Sequence, residues 1–360
     1  MEITGRDSTR HKSMRAIQAR LVPTLHLVVL GACLALLILL SSCITPAAWY
    51  APDPSIRAGL PTEVSFNKLN QDAGRGGNLF IRLWLKNGQP LLFAVDTGSP
   101  FSVLDKSLEP ALGKRVATQE LFYSYYGRRR HAGVFRMPGL YIGTNQLLTS
   151  RWVVTDDLTS MTHGLEVRGI LGMDCLRQYC LQLDFMGHKI YFLDPDHAEN
   201  EDLGKAFPLS FSSGLVKVSV QENFCGFKRS GSLIDTGDWS DGALETKLLQ
   251  QALDEGKATW TNHVAWSTGP AERLLFVSQA AFGGETYSDL LLVPHARNSI
   301  GLRFLARHLV TFNFPKRTMY LQRRSEGPMM SAMETERKSS IHDVTTEEEG
   351  ASGIPANSSQ

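Results

Sequence analysis

The sequence predicts an all-β protein built from two similar halves, and three observations carry that expectation. An apolar run that reads as a buried strand ends in Asp-Thr-Gly twice: Leu91-Leu92-Phe93-Ala94-Val95-Asp96-Thr97-Gly98, and Ser232-Leu233-Ile234-Asp235-Thr236-Gly237, with the two aspartates 139 residues apart. Downstream segments repeat at a second constant offset, 129 residues, which matches Gly172 with Gly301, Leu176 with Leu305, Asp184 with Asn313 and Tyr191 with Tyr320. Strand-length apolar runs separated by turn signals fill both halves. One Asp-Thr-Gly alone would read as a strand-end turn, in which Asp caps and Gly supplies an unusual backbone angle. Two copies with matching downstream segments point to a shared site.

The chain has 360 residues, 42% hydrophobic and 20% charged, with a net charge of +1. That is enough core for one large or two small domains. The balanced charge and the lack of a nucleic-acid motif exclude nucleic acid as the main partner.

Residues 1–43 read as a targeting element. Arg6, Arg10, Lys12, Arg15 and Arg20 precede an apolar run from Leu27 to Leu40, which at 14 residues is short for a spanning helix unless it extends back to Leu21 across Pro23 and His26. Leu40-Ser41-Ser42-Cys43 resembles a bacterial lipobox, in which cleavage before Cys43 leaves a lipid-modified N-terminal cysteine. The other reading is an uncleaved signal anchor. Both place the rest of the chain at a membrane, on its periplasmic or extracellular face. Ile44, rather than an aspartate, follows the cysteine, which by resemblance to lipoproteins of two-membrane bacteria permits transfer to the outer membrane. Residues 44–62 carry Pro46, Pro52, Pro54 and Pro61 and read as an extended tether.

The first folded half, 63–200, begins with strand-like runs at Val64 to Leu69, Leu79 to Leu85 and Pro90 to Val95. Between the last two, Lys86-Asn87-Gly88-Gln89 carries the Asn-Gly signal of a tight hairpin, which delivers Asp96 at a strand end. The polar and aromatic stretch through Tyr123, Tyr125, Tyr126, Gly127 and Arg128-Arg129-Arg130 reads as a mobile hairpin. Strands resume at Gly139 to Ile142 and Arg151 to Thr155, followed by Gly169-Ile170-Leu171-Gly172 and a two-strand segment from Leu181 to Leu193. The second half, 201–321, repeats these parts: strands at Phe207 to Phe211 and Leu215 to Val220, Asp235-Thr236-Gly237, a helical patch near Ala243 to Leu253, a strand at Leu274 to Val277, then Ser299-Ile300-Gly301 and Leu309 to Leu321. From Gln322 to the end there is no Phe, Trp or Tyr while Ser, Thr and Glu abound, so 322–360 is expected to be a disordered, solvated tail.

The paired Asp-Thr-Gly motifs, each followed by a hydrophobic-Gly segment at Ile170-Leu171-Gly172 and Ser299-Ile300-Gly301, resemble the aspartic proteases. The resemblance covers roughly Glu63 to Leu321 and implies a two-lobed acid-protease fold of two tandem retropepsin-like units with a cleft between them. It further implies that the hydrophobic-Gly segments thread under the catalytic loops, that hairpins near Tyr126-Gly127 and Trp266-Ser267-Thr268-Gly269 act as flaps, and that the chain works as a monomer on a peptide or protein without a cofactor or metal.

The chemistry can be argued without the resemblance. Two carboxylates brought together at a twofold axis cannot both ionise easily, so Asp96 and Asp235 would share one proton over an acidic range. The ionised member can draw a proton from a water between them while the protonated member donates to the substrate carbonyl oxygen. Gly98 and Gly237 let the backbone pass close behind the carboxylates, Thr97 and Thr236 can hydrogen-bond across the interface, and Ser99 would support Asp96 from its outer side. In the second motif Asp238 stands where Ser or Thr is usual. If it points at Asp235 it raises the proton affinity of the pair, and if it turns outward it matters little. That substitution also keeps open an inactive protease-fold module that binds peptides without cutting them.

Other chemistry is thin. The 10 histidines form no His-Glu-x-x-His pattern and there is no Cys-x-x-Cys. Cys175 and Cys180, five apart, could form a local disulfide outside the cytoplasm, but read as free thiols, with Cys175 at the buried apolar position that Phe304 holds in the repeat. Arg128-Arg129-Arg130 reads as a charged hairpin tip in water. Trp239 and Phe101 suit cleft or core packing.

Overall fold

In the computed structural model the described residues are 66–123, 128–158, 166–196, 198, 202–222, 224–265 and 272–329. The targeting element, with Cys43, and the tether lie outside them. So do the flap candidates Tyr126, Gly127, Ser267 and Gly269.

The first half runs through β1 (Phe66–Lys68), β2 (Phe80–Leu85), β3 (Pro90–Val95), β4 (Val103–Asp105), β5 (Ala117–Tyr123) and β6 (Arg128–Arg136). It continues with β7 (Leu140–Ile142), β8 (Asn145–Gln146), β9 (Trp152–Asp156), β10 (Val167–Leu171), β11 (Cys180–Asp184) and β12 (Lys189–Leu193). The second half holds β13 (Lys205–Ser212), β14 (Leu215–Glu222), β15 (Lys228–Asp235), β16 (Gly242–Glu245) and β17 (Thr259–Ala265). Its remaining strands are β18 (Glu272–Phe282), β19 (Glu285–His295), β20 (Ser299–Gly301), β21 (His308–Asn313) and β22 (Thr318–Arg323). Short helices interrupt them: α1 (Glu109–Leu112), α2 (Met173–Leu176), α3 (Thr246–Asp254) and α4 (Leu302–Leu305). Among the described residues no helix is long and apolar enough to cross a membrane.

Local chemistry explains how the first motif is delivered. Leu91, Phe93 and Val95 alternate with Leu92 and Ala94, so β3 buries one face fully and the other in part. Gly88 takes φ 82°, and Gly88 N donates to Leu85 O at 2.9 Å, closing the β2–β3 hairpin at the Asn-Gly pair.

The repeat read in the sequence is a repeat of topology. In the first half the strand order is β5-β6-β9-β4-β10-β3-β2, and in the second β17-β18-β19-β16-β20-β15-β14. In each, the hydrophobic-Gly strand lies parallel to the strand that ends in the aspartate and antiparallel to the strand after it: β10 between β3 and β4, β20 between β15 and β16. Six further strands, in the order β1-β12-β11-β21-β22-β13, join the halves in one antiparallel sheet. At its centre Gln182 pairs with Thr311 and donates through Nε2 to Thr311 Oγ1 at 3.0 Å. These residues are 129 apart, the offset of the repeat itself, so each meets its own counterpart and the pseudo-twofold axis passes between them. One continuous apolar core, from Leu69 to Leu321, fills both halves.

Several elements differ from expectation. The helical patch near Ala243 to Leu253 splits: Ala243 and Leu244 belong to β16, and α3 begins at Thr246, with Ala252 buried and Leu248, Leu249 and Leu253 packed against the core. Strand β19 carries Pro294 and a left-handed Asp289 (φ 56°), features that hide a strand from pattern reading, yet it runs for 11 residues. Strand β22 continues through Arg323, and residues 324–329 follow it closely: Arg324 N and Ser325 N both donate to Arg307 O, and Met329 packs on the core. Composition does not announce this segment because backbone hydrogen bonds, rather than buried aromatic side chains, hold most of it. Cys175, Cys180 and Cys225 are buried; the Cys175 thiol donates to Leu148 O at 3.0 Å, at a position as enclosed as that of its counterpart Phe304.

Candidate active site

Strands β3 and β15 end at the pseudo-twofold axis, and their side chains interlock just past the aspartates. Thr97 N donates to Thr236 Oγ1 at 3.0 Å, and Thr236 N returns a bond to Thr97 Oγ1 at 3.0 Å. Each hydroxyl spends its own proton across the interface as well, Thr97 Oγ1 on Ile234 O (2.8 Å) and Thr236 Oγ1 on Val95 O (2.7 Å). Both threonines are buried, so the four bonds are shielded from water and each half fixes the other's loop.

This grip sets Asp96 and Asp235 face to face, partly exposed to solvent and hydrogen-bonded to each other. Gly98 N donates to Asp96 Oδ1 at 2.7 Å; Gly237 N and Asp238 N donate to Asp235 Oδ1 at 3.0 and 3.2 Å. The glycines are required by the opposite loop. A Cβ on Gly237 would stand 2.7 Å from Asp96 Cγ, and one on Gly98 would overlap the Asp235 carboxylate.

Electrostatics makes the two carboxylates unequal. Burial is the main cause that raises the pKa of Asp96, opposed by the Gly98 amide and the bond to Asp235. Asp235 is held well above the usual carboxylate range, first by burial, then by the negative charges of Asp96 and Asp238. The pair therefore holds a proton above the usual carboxylate range and titrates as a unit.

Asp238 turns away from the dyad. Its Oδ1 accepts from Ser240 N (2.9 Å) and Ser240 Oγ (2.6 Å), and its Oδ2 from Ser299 Oγ (3.2 Å). Its charge nevertheless reaches both Asp96 and Asp235, so an outward orientation does not make it electrostatically silent. Its counterpart Ser99 supports Asp96 through its backbone amide, while its hydroxyl donates to Phe101 O at 2.7 Å instead of reaching the carboxylate. Trp239 packs on Ala243, Leu274 and Val293. The hairpin arginines are engaged, Arg129 with Glu120 and Arg130 with Asp156.

A second tier behind the loops escaped sequence reasoning. In the first half, buried Asp174 accepts from Ser102 Oγ (2.7 Å) and Ser150 Oγ (2.7 Å), and Ser102 Oγ accepts from Gly172 N (3.0 Å). In the second half the polarity is inverted: Asp241 in the loop binds Arg303, the counterpart of Asp174, and also Arg307. The signal was available, because Asp174 and Arg303 occupy the same place two residues after the repeated glycine. Among the described residues no cluster of three or more His, Cys, Asp or Glu is arranged to hold a metal ion.

Two equivalent lobes, each threading a hydrophobic-Gly strand beneath an Asp-Thr-Gly loop and meeting through reciprocal threonine bonds, constitute the two-lobed acid-protease fold. Residues 81–175, which span the first lobe's motif and its hydrophobic-Gly segment, match the family model described as aspartyl protease. Among solved structures, the crystal structure of Basic 7S globulin from soybean is similar over 74% of this chain and 96% of its own, at 12% identity and a TM-score of 0.49. Among curated proteins none matches the chain.

Proposed function

We propose that the protein is an aspartic endopeptidase in which Asp96 and Asp235 activate water against a peptide bond. The observation that carries this reading is the dyad itself: two unequal carboxylates held in mutual contact by a buried, reciprocal threonine grip. Ionised Asp96 takes a proton from the water as its oxygen attacks the carbonyl carbon, and protonated Asp235 gives its proton to the carbonyl oxygen. The resulting tetrahedral diol collapses when a proton passes to the amide nitrogen and the C–N bond breaks. This leaves a carboxylic acid, an amine and the dyad with its single proton. The peptide would lie across the cleft beneath the hairpins β5–β6 and β17–β18. One chain supplies both aspartates, so a monomer suffices. The apolar run before Cys43 would tether the enzyme to a membrane, by lipid on Cys43 or by an uncleaved anchor, with the lobes on the periplasmic or extracellular side.

A second reading, a module that binds peptides without cleaving them, draws on Asp238, whose charge raises the proton affinity of the dyad. Peptide-library cleavage from acid to neutral pH, with and without a transition-state-mimicking inhibitor, separates the two. Inhibitor-sensitive cutting that disappears in Asp96→Asn establishes the peptidase. A folded chain that binds the inhibitor or peptides but cuts nothing at any pH establishes the binding module.

A further inference from the structure

Four segments of chain converge on a charge cluster behind the second catalytic loop. Asp241 is fully buried. Its Oδ1 accepts from Arg307 Nη2 at 2.7 Å, and its Oδ2 from Leu291 N at 2.8 Å and from Arg303 Nη1. Its backbone is tied as well, with Asp241 N donating to Leu291 O (3.0 Å) and Gly301 N to Asp241 O (2.9 Å). Asp241 thus moors the loop that begins at Asp235 to both β19 and β20, beside the bond from Ser299 to Asp238.

Arg307 faces two ways. It too is fully buried, and while Nη2 holds Asp241, Nη1 donates to Ser288 O (2.7 Å) and Glu326 O (3.0 Å). Its own carbonyl accepts from Arg324 N (2.8 Å) and Ser325 N (3.0 Å). Its Nε is buried without a partner, so the terminal nitrogens carry the compensation for desolvating the whole group. Residues 324–329 therefore form a strap over the side of the guanidinium opposite the loop. The first lobe has no such dependence, because neutral hydroxyls from Ser102 and Ser150 hold Asp174 there.

We propose that Arg307 is a positioning residue for the Asp235 loop, and that the strap 324–329 acts as an intramolecular activator by keeping Arg307 aimed at Asp241. With the strap removed, Arg307 Nη1 loses an acceptor and water reaches the guanidinium, which then turns outward. Asp241 loses one of its two guanidinium partners and keeps Arg303 and the Leu291 amide, the loop loosens, and Asp235 drifts from the placement the dyad requires. The inference rests on the peptidase reading only for its kinetic readout.

The test compares the full chain with chains stopped after Met329 and after Arg323, and with Arg307→Lys in the full chain. Amide exchange at Leu291, Gly301 and Leu302, with Gly172 and Met173 as first-lobe controls, is read beside kcat and KM on a cleaved peptide. Stopping after Met329 leaves every value as in the full chain. Stopping after Arg323 speeds exchange at the three second-lobe amides about ten-fold and lowers kcat about ten-fold with KM nearly unchanged, the signature of a misplaced catalytic group. Arg307→Lys gives the same pattern and serves alone if the shorter chain does not fold. Unchanged exchange after loss of 324–329 overturns the proposal. So does faster exchange spread evenly over both lobes, or an equal effect from stopping after Met329. If no chain cuts peptide, the exchange data still decide the strap, and only the peptidase reading falls.

Discussion

Replacing Thr236 with valine should remove half of the grip at almost constant shape. The lost hydroxyl donates to Val95 O and accepts from Thr97 N, so one substitution leaves a buried carbonyl and a buried amide without these partners. Each unsatisfied buried group costs roughly 1–3 kcal/mol, which gives about 2–6 kcal/mol of lost stability. Thr236→Ser is the control, because it keeps the hydroxyl and deletes one methyl, at about 1 kcal/mol. Urea unfolding of both variants beside the parent chain, followed by fluorescence and far-ultraviolet dichroism and compared at equal m-value, reads the difference. A valine variant within about 1 kcal/mol of the parent, or a serine variant as damaged as the valine one, would refute the view that these hydrogen bonds hold the lobes in register.

Three further outcomes follow from the same geometry. Gly237→Ala forces a methyl against Asp96 Cγ, 2.7 Å from the ideal Cβ position, and should lower kcat about a hundred-fold or more while the chain still folds; near-normal turnover would show that the loops have slack. Asp238→Ser removes a negative charge that raises the pKa of both Asp96 and Asp235, so the bell-shaped kcat/KM profile should move toward acid by about one pH unit; an unmoved profile would show that the charge is screened. Burial drives the pKa of His308 down to about 4, with Tyr287 Oη 2.8 Å from its Nε2. Because the folded state disfavours its protonation, stability is complete above the ordinary histidine range and falls as pH drops from about 6.5 toward 4. His308→Gln should flatten that part of a melting-temperature profile, and a slope identical to the parent's would assign the acid lability to other groups.

The parts of the fold that could be read in advance are those where the physical signal is local. Alternation in β3, the Asn-Gly turn and the duplicated Asp-Thr-Gly each depend on a few adjacent residues, and Asp96, Thr97, Asp235 and Thr236 meet at the axis as expected. Strand β19 was not legible because its pairing partners β16 and β18 accommodate Pro294 and a left-handed Asp289, which no local pattern reveals. The orientation of Asp238 depended on Ser240 and on Ser299, a residue 61 positions away, so sequence could pose the alternatives without choosing. Arg307 looks in sequence like one more surface arginine near a strand end. Its burial follows from four segments closing around it, which is a property of the assembled fold.

The hydrogen bond between Gln182 and Thr311 has a consequence for how a peptide is read. In a pair of identical chains, a residue on the twofold axis meets its own copy, and both rims of the cleft must be the same. Here the axis is crossed by two different side chains, and the two halves have diverged with them: Ser99 in one loop corresponds to Asp238 in the other, and behind the loops Ser102 with Asp174 corresponds to Asp241 with Arg303. A cleft between unlike halves has a left and a right. Under the proposed function, a bound peptide would have one preferred direction, from amino to carboxyl end.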